Sequence, residues 1–157
     1  MVLHRVGTLE TGIGDLIMRL RVKFDCSGVD WAVVSDTLKQ VGMAYYEPDV
    51  HRKAFENSHT AVFVYDGDRL VGFGRAISDD SYQAALYDMA VVPEYQRGGI
   101  GAAIMTHLLD RLRHCNVILY AAIGKEPFYE KMGFRRMKTG MALFREASAM
   151  QKRGFTD

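Results

Sequence analysis

The stretch that most narrows what this chain can fold into is Val91-Val92-Pro93-Glu94-Tyr95-Gln96-Arg97-Gly98-Gly99-Ile100-Gly101. An apolar run at 84–92 leads into it and an amphipathic run at 100–112 leads out. Together they predict a strand, a tight glycine-rich turn and a helix whose first turn is nearly bare backbone. The first amides of a helix have no partner within it, and the positive end of the helix dipole lies behind them. Such a place binds anions, phosphate oxygens above all. Glycine at 98, 99 and 101 lets a ligand approach those amides without a Cβ in the way.

The spacing excludes two common phosphate loops. It is not G-x-x-x-x-G-K-[ST], so no lysine is placed for a nucleotide γ-phosphate. Nor is it G-x-G-x-x-G with an acidic residue closing a second strand. The pattern is Gln-x-x-Gly-x-Gly, filled by Gln96, Gly99 and Gly101. Farther on stands Phe128-Tyr129-Glu130-Lys131-Met132-Gly133-Phe134, preceded by Gly124-Lys125-Glu126-Pro127. In these two motifs, in this order, the chain resembles the GNAT family of acetyl-CoA-dependent N-acetyltransferases. Their pyrophosphate loop reads [QR]-x-x-G-x-[GA], and a second signature reads F-Y-x-K-x-G-F. The resemblance covers residues 60–145 well and the first 60 only loosely.

Periodicity supplies the elements. Residues 2–6 alternate and predict an edge strand or a disordered lead. In 16–24, Leu16, Met18, Leu20, Val22 and Phe24 alternate with polar residues, a half-buried strand. Asp30 is placed to cap a helix over 31–41, with Gly42 just past its end. Pro48 opens a second helix through about Asn57, with Val50, Ala54 and Phe55 as its inner face. A strand at 61–65, a turn at Asp66-Gly67-Asp68 and a strand at 70–77 read as a hairpin. The strand at 84–92 is apolar throughout except Asp88, as befits a strand covered on both faces. The helix over 99–113 carries the stripe Ile100, Ile104, Leu108 and Leu112. Its crossover makes a buried strand at 117–122 parallel to the one at 84–92. A helix at Pro127 and a strand at 141–144 complete the expected fold, leaving 146–157 as a frayed tail.

The expectation is therefore an α+β fold: one GNAT-like domain over 1–145, with a tail at 146–157. Its mixed sheet is mostly antiparallel, with a central parallel pair and helices on both faces. The resemblance implies that this pair splays and that the pantetheine arm of CoA lies in the gap. It would bond to the backbone of Met89, Ala90, Val91 and Val92. The pyrophosphate would meet Gln96, Arg97, Gly98, Gly99, Ile100, Gly101 and Ala102, and Phe128 and Tyr129 would also contact the cofactor.

Acetyl transfer needs an oxyanion donor, a proton for the leaving thiolate and a base for the ammonium. Backbone N–H near the end of the 84–92 strand serves the first. The resemblance places the Tyr129 hydroxyl by the CoA sulfur as the acid; otherwise Tyr129 flanks the Phe128–Met132 pair as packing. Asp88, the one charge in its strand, is the candidate base, or else a structural carboxylate paired with an arginine such as Arg75. Strand alternation turns Tyr87 and Asp88 to opposite faces. Asp79 and Asp80 either line the acceptor mouth or act as turn residues. The resemblance puts Trp31, Tyr45 and Tyr46 at one wall of the acceptor site, and core packing is their other reading.

The remaining composition sets limits. Twenty Lys plus Arg against nineteen Asp plus Glu leave a net charge of +1, which recommends no nucleic-acid partner. The apolar runs are too short to span a bilayer, and the beginning of the chain has no secretory pattern, so a cytoplasmic location is expected. Cys26 and Cys115 match no metal spacing and read as free thiols. The histidines form no metal-binding pattern, so no metal is expected. Direct attack by a primary amine of a small molecule is the leading reading. Protein lysine or N-terminal acetylation and a non-catalytic acyl-CoA-binding module are its alternatives, and the resemblance adds a homodimer as a further expectation.

Overall fold

The computed structural model describes residues 19–157. The expected strand at 2–6 and the start of that at 16–24 lie outside these residues. Two compact units divide the chain, one running to Leu119 and the other spanning Tyr120–Asp157.

In the first unit, five strands pair in sequence order. They are β1 (Leu20–Lys23), β2 (Thr60–Asp66), β3 (Arg69–Ser78), β4 (Gln83–Val91) and β5 (Asn116–Ile118). Strands β1 to β4 are antiparallel neighbours, and β4 pairs with β5 in parallel. Among the described residues, three α-helices accompany them: α1 (Trp31–Gln40), α2 (Pro48–Glu56) and α3 (Ile100–Asp110). Helix α1 starts where the sequence predicts, with the Asp30 carboxylate accepting from the Ala32 N–H at 3.1 Å. A cap of this kind contributes about 1 kcal/mol. Gly42 follows its end at φ 76°, the left-handed turn that glycine allows.

Side-chain alternation along β3 sorts the helices onto two faces. A Cβ on Gly72 or Gly74 would meet Ile100 or Ile104 of α3 at about 3.0 Å, so these glycines let α3 lie close on the sheet. Ile100, Ile104 and Leu108 are buried there, each contributing roughly 2 kcal/mol. Phe73, between the glycines, points to the other face and packs on Phe55 of α2 with centroids 6.0 Å apart. Phe63 joins that cluster, and Trp31 lies against both Phe55 and Phe63 at 5.5 and 5.9 Å. Trp31 is thus a packing residue.

Several expectations need correction. The inner face of α2 carries His51 and Phe55, while Val50 is 50% exposed. The β5 strand is shorter than 117–122: it pairs only Asn116–Ile118 with Gln83–Ala85, and Ile118 is exposed. Among the described residues it has a neighbour on one side only, so the parallel pair forms one edge of the sheet they make. Beyond Ala85 the pairing of β4 with β5 ends, consistent with a splayed pair. The middle of β4 is accordingly half-buried rather than covered on both faces.

The second unit holds α4 (Glu126–Lys131) and α5 (Ala147–Lys152). Residues 141–144 form no strand, and Met141 and Leu143 are 98% and 87% exposed. The segment expected to fray contains α5 instead. Its exit turns back through Gly154 at φ 84°, and Phe155 meets Tyr120 at 5.7 Å. That aromatic contact gives the segment an anchor that its polar composition hides.

Candidate active site

The loop after β4 is braced from several sides. The Val92 N–H donates to the Val71 carbonyl of β3 at 2.9 Å. Gln96 Nε2 donates to the Val91 carbonyl at 3.0 Å, so this side chain closes the loop onto the strand it leaves. The Tyr95 hydroxyl donates to Asp66 at 2.7 Å, and Arg69 donates to Glu94 at 3.0 Å while lying over the Tyr95 ring. Both partners sit at the β2–β3 turn, which fixes the loop against a rigid hairpin.

Within the loop, Arg97 and Gly99 take φ 64° and 85°, both in the left-handed region. Turns of this kind aim successive amides into one concavity. The first bond of α3 runs from the Ala103 N–H to the Gly99 carbonyl at 3.0 Å. The amides of Ile100, Gly101 and Ala102 precede that bond and face outward from the helix start. The chemistry of the site is that of an anion cradle built from main chain.

Four residues upstream, β4 changes its pairing. Phe73 of β3 opposes Ala90 and Arg75 opposes Tyr87, so Gly74 alone stands against Asp88 and Met89. This is a β-bulge, and Asp88 takes φ 52° within it. The extra residue breaks the alternation that sequence reading assumes. Arg75 Nε donates to Asp88 Oδ2 at 2.6 Å and the same guanidinium lies 5.3 Å from the Tyr87 ring. Tyr87 and Asp88 therefore share the face of α1 and α2, contrary to the expectation that they oppose each other. Met89 takes the other face, against the Gly74 position and α3.

Arg75 completes its contacts with Ser58 Oγ at 3.3 Å and the Phe55 ring at 5.7 Å. The Arg75 and Asp88 side chains are 17% and 20% exposed, so the pair is largely desolvated yet still reachable. Ser58 also lines a cavity of about 270 Å³ with Phe24, Cys26, Phe55 and Glu56. Above the same face, the loop between α1 and α2 presents Tyr45 and Tyr46, 49% and 59% exposed.

Other candidates fall elsewhere. Asp79 accepts from the amides of Ser81, Tyr82 and Gln83, which hold its carboxyl below the usual range and mark it as a turn residue. Asp80 lies between His59 and His114, at 3.1 and 3.2 Å. Both acids precede β4, whereas the loop follows it, roughly 30 Å away along the strand. Burial, then the charges of Glu56 and Asp25, push the Cys26 thiol up. Cys115 Sγ lies 3.6 Å from Ser78 Oγ at the start of β5.

In the second unit, Tyr129 packs edge-on against Phe128 and Phe134, at 5.1 and 6.0 Å. Burial pushes its hydroxyl above the ordinary phenol range, so it holds its proton at neutral pH.

The residues that form the bulge and this loop lie within a stretch matched by a family model. The model for the acetyltransferase (GNAT) domain covers residues 30–144. The chain belongs to the GNAT acetyltransferase family. Among its GNAT relatives is an uncharacterized N-acetyltransferase, ycf52, of Porphyra purpurea. It is 29% identical over 119 residues, 74% of this chain and 64% of that protein. The chain thus spans less than two thirds of that relative's length. Serotonin N-acetyltransferase 2, chloroplastic, of Oryza sativa subsp. japonica is 30% identical over 83% of this chain and 70% of that protein. Among solved structures, a probable acetyltransferase of meticillin-resistant Staphylococcus aureus superposes with a TM-score of 0.72 at 26% identity. That match covers 80% of this chain and 98% of the other.

The GNAT motifs led directly to the loop and to α4. They carried no information about His51, Ser58 or the position of Arg75 opposite the bulge. His51 sits where an apolar residue was expected, and its burial has a partner that only the fold supplies: Nε2 accepts from the Tyr46 N–H at 2.9 Å. His51 stands four residues before Phe55, so helical spacing puts the two on one face, and that spacing was the available signal.

Proposed function

We propose that this chain moves the acetyl group of acetyl-CoA to the primary amine of a small aromatic amine by direct attack in a ternary complex. The observation that carries the reading is the anion cradle at the start of α3, reached from the bulge at Asp88–Met89. A pyrophosphate held by the amides of residues 97–102 would lay the acyl arm along the end of β4. The residues of the cradle suit this group: they are main-chain donors at a helix dipole, with glycine at the point of closest approach.

The amine nitrogen attacks the thioester carbon, a C–N bond forms, and the C–S bond breaks as the tetrahedral oxyanion collapses. Main-chain N–H at the bulge stabilises that oxyanion, and being fixed it needs no reorganisation. Before attack the ammonium gives one proton to Asp88, directly or through water. The nitrogen gives up a second to solvent as the tetrahedral intermediate forms, and Tyr129 donates one to the departing thiolate and is reprotonated from solvent. Products are the N-acetyl amine and free CoA thiol, with no acyl-enzyme. Arg75 holds the Asp88 carboxylate in place until the amine arrives.

Two features support an aromatic acceptor. Tyr45 and Tyr46 expose their rings on the face that Asp88 shares, and a relative at 30% identity is named for serotonin. The test measures kcat/KM for serotonin, an aliphatic diamine and a lysine-containing peptide, with products weighed by mass spectrometry. Serotonin should exceed the other two by about two- to tenfold, the gain from one good aromatic contact. A preference for the peptide would replace this acceptor with a protein one.

A further inference from the structure

His51 is 2% exposed, yet it stands on a helix whose other inward residue is Phe55. A buried imidazole needs a partner, and this one is the main chain of an exposed loop. Nε2 accepts from the Tyr46 N–H at 2.9 Å, so in the neutral ring the proton is on Nδ1. On the other side of the same peptide segment, Ser35 Oγ of α1 donates to the Tyr46 carbonyl at 2.6 Å. The Tyr46 ring then lies 5.8 Å from the imidazole. Bonds to both its N–H and its carbonyl hold this residue, which stays 59% exposed. Such an arrangement fixes where an outward ring is presented.

We propose that His51 is a positioning residue for the acceptor: its Nε2 lone pair latches the Tyr45–Tyr46 loop, and protonation of that nitrogen releases it. This rests on the reading that the acceptor amine meets that loop. Protonation turns Nε2 from acceptor into donor and sets two N–H groups against each other. The Ser35 bond would remain, so the segment would pivot rather than unfold. The groups facing the imidazole are the Tyr46 phenol from the loop, Arg75 from β3 and Asp88 from β4. Burial is the main influence against the charged ring; Arg75 acts in the same direction and Asp88 opposes both. Acidification should therefore loosen the acceptor platform while the phosphate loop, on separate elements, stays intact.

The test follows the Tyr46 amide by hydrogen exchange, as a protection factor, from about pH 8 down to about pH 5, across the range in which a histidine titrates. Protection at Tyr46 should fall several-fold relative to Met43, whose N–H is bonded to the Leu38 carbonyl. In parallel, His51→Leu should raise the KM for serotonin roughly tenfold with little change in kcat or in the KM for acetyl-CoA. His51→Gln offers an uncharged acceptor oxygen, so it should restore the neutral-pH KM and abolish its rise on acidification. Constant Tyr46 protection across that range, or wild-type KM in a folded His51→Leu, would overturn the proposal. If His51→Leu fails to fold, the exchange profile of the unaltered protein decides alone. Absence of any turnover with serotonin would count against the acceptor reading, and the exchange measurement would still decide the latch.

Discussion

Arg75 and Asp88 face each other across β3 and β4 with Nε 2.6 Å from the carboxylate, at the point where β4 carries one residue more than β3. The ion pair and the bulge support each other. The left-handed turn at Asp88 brings its carboxylate onto the side where Arg75 lies, and the guanidinium satisfies a charge that would otherwise be stranded within a strand.

Removing either partner should have different consequences. Arg75→Gln leaves a largely desolvated carboxylate unpaired and should cost about 1–3 kcal/mol in urea unfolding. Asp88→Asn should cost less in stability and lower kcat by about 10²-fold or more if the carboxylate takes the proton of the ammonium. A folded Asp88→Asn protein with unchanged kcat would return Asp88 to a structural role.

Neither thiol should matter for turnover. Cys26 has its thiol pushed up by burial and neighbouring carboxylates, a poor setting for a nucleophile. Cys26→Ser and Cys115→Ala should each keep kcat within about twofold, because direct attack requires no acyl-enzyme. An acetylated cysteine peptide, formed and consumed at the turnover rate in quenched samples, would contradict this.

How far the sequence carried the fold depended on how local each feature is. The strand, turn and helix around Gly99 are set by residues close in the chain, and the glycine requirement there is visible in the letters. The bulge is not, because it arises from counting two strands against each other: Phe73 to Arg75 spans one intervening residue, Tyr87 to Ala90 two. The short β5 and the absent strand at 141–144 failed for a related reason. Apolar residues such as Ile118, Met141 and Leu143 suit a strand, but pairing needs a neighbour, and period alone cannot supply one. His51 was missed because its inward position is justified by a main-chain donor from the loop before it.

Stability should depend on pH through His51. Its folded-state pKa lies below the usual 6.5, with burial as the main cause. The folded state therefore binds fewer protons than the unfolded one between those two values, and stability rises with pH across that window. It is fully present above the unfolded value and is lost as pH falls toward the folded one. Thermal melts at about pH 8 and pH 5.5 should show a drop in Tm for the natural protein that is smaller in His51→Gln. Equal drops would assign the acid sensitivity to other groups.

Tyr129→Phe should keep the ring packing with Phe128 and Phe134 while removing the proton donor. Turnover at neutral pH should fall roughly 10²- to 10⁴-fold with little change in acetyl-CoA affinity. The deficit should shrink toward high pH, where a thiolate leaves without help. A deficit that stays constant across the pH range would point to positioning rather than acid catalysis.

The central claim, that acetyl-CoA held at the loop of Gly99 donates its acetyl group directly to an amine, is tested most directly by one pair of reactions. Thiol release and N-acetyl product are measured together with serotonin as acceptor, for the natural protein and for Gly99→Val, with circular dichroism confirming the fold of both. At φ 85° a valine is strained and its side chain would also occupy the cradle. The account predicts equimolar thiol and N-acetyl amine from the natural protein, and a loss of acetyl-CoA affinity and turnover of at least about 10²-fold in the variant. Equal acetyl-CoA affinity and turnover in a folded Gly99→Val protein would contradict it.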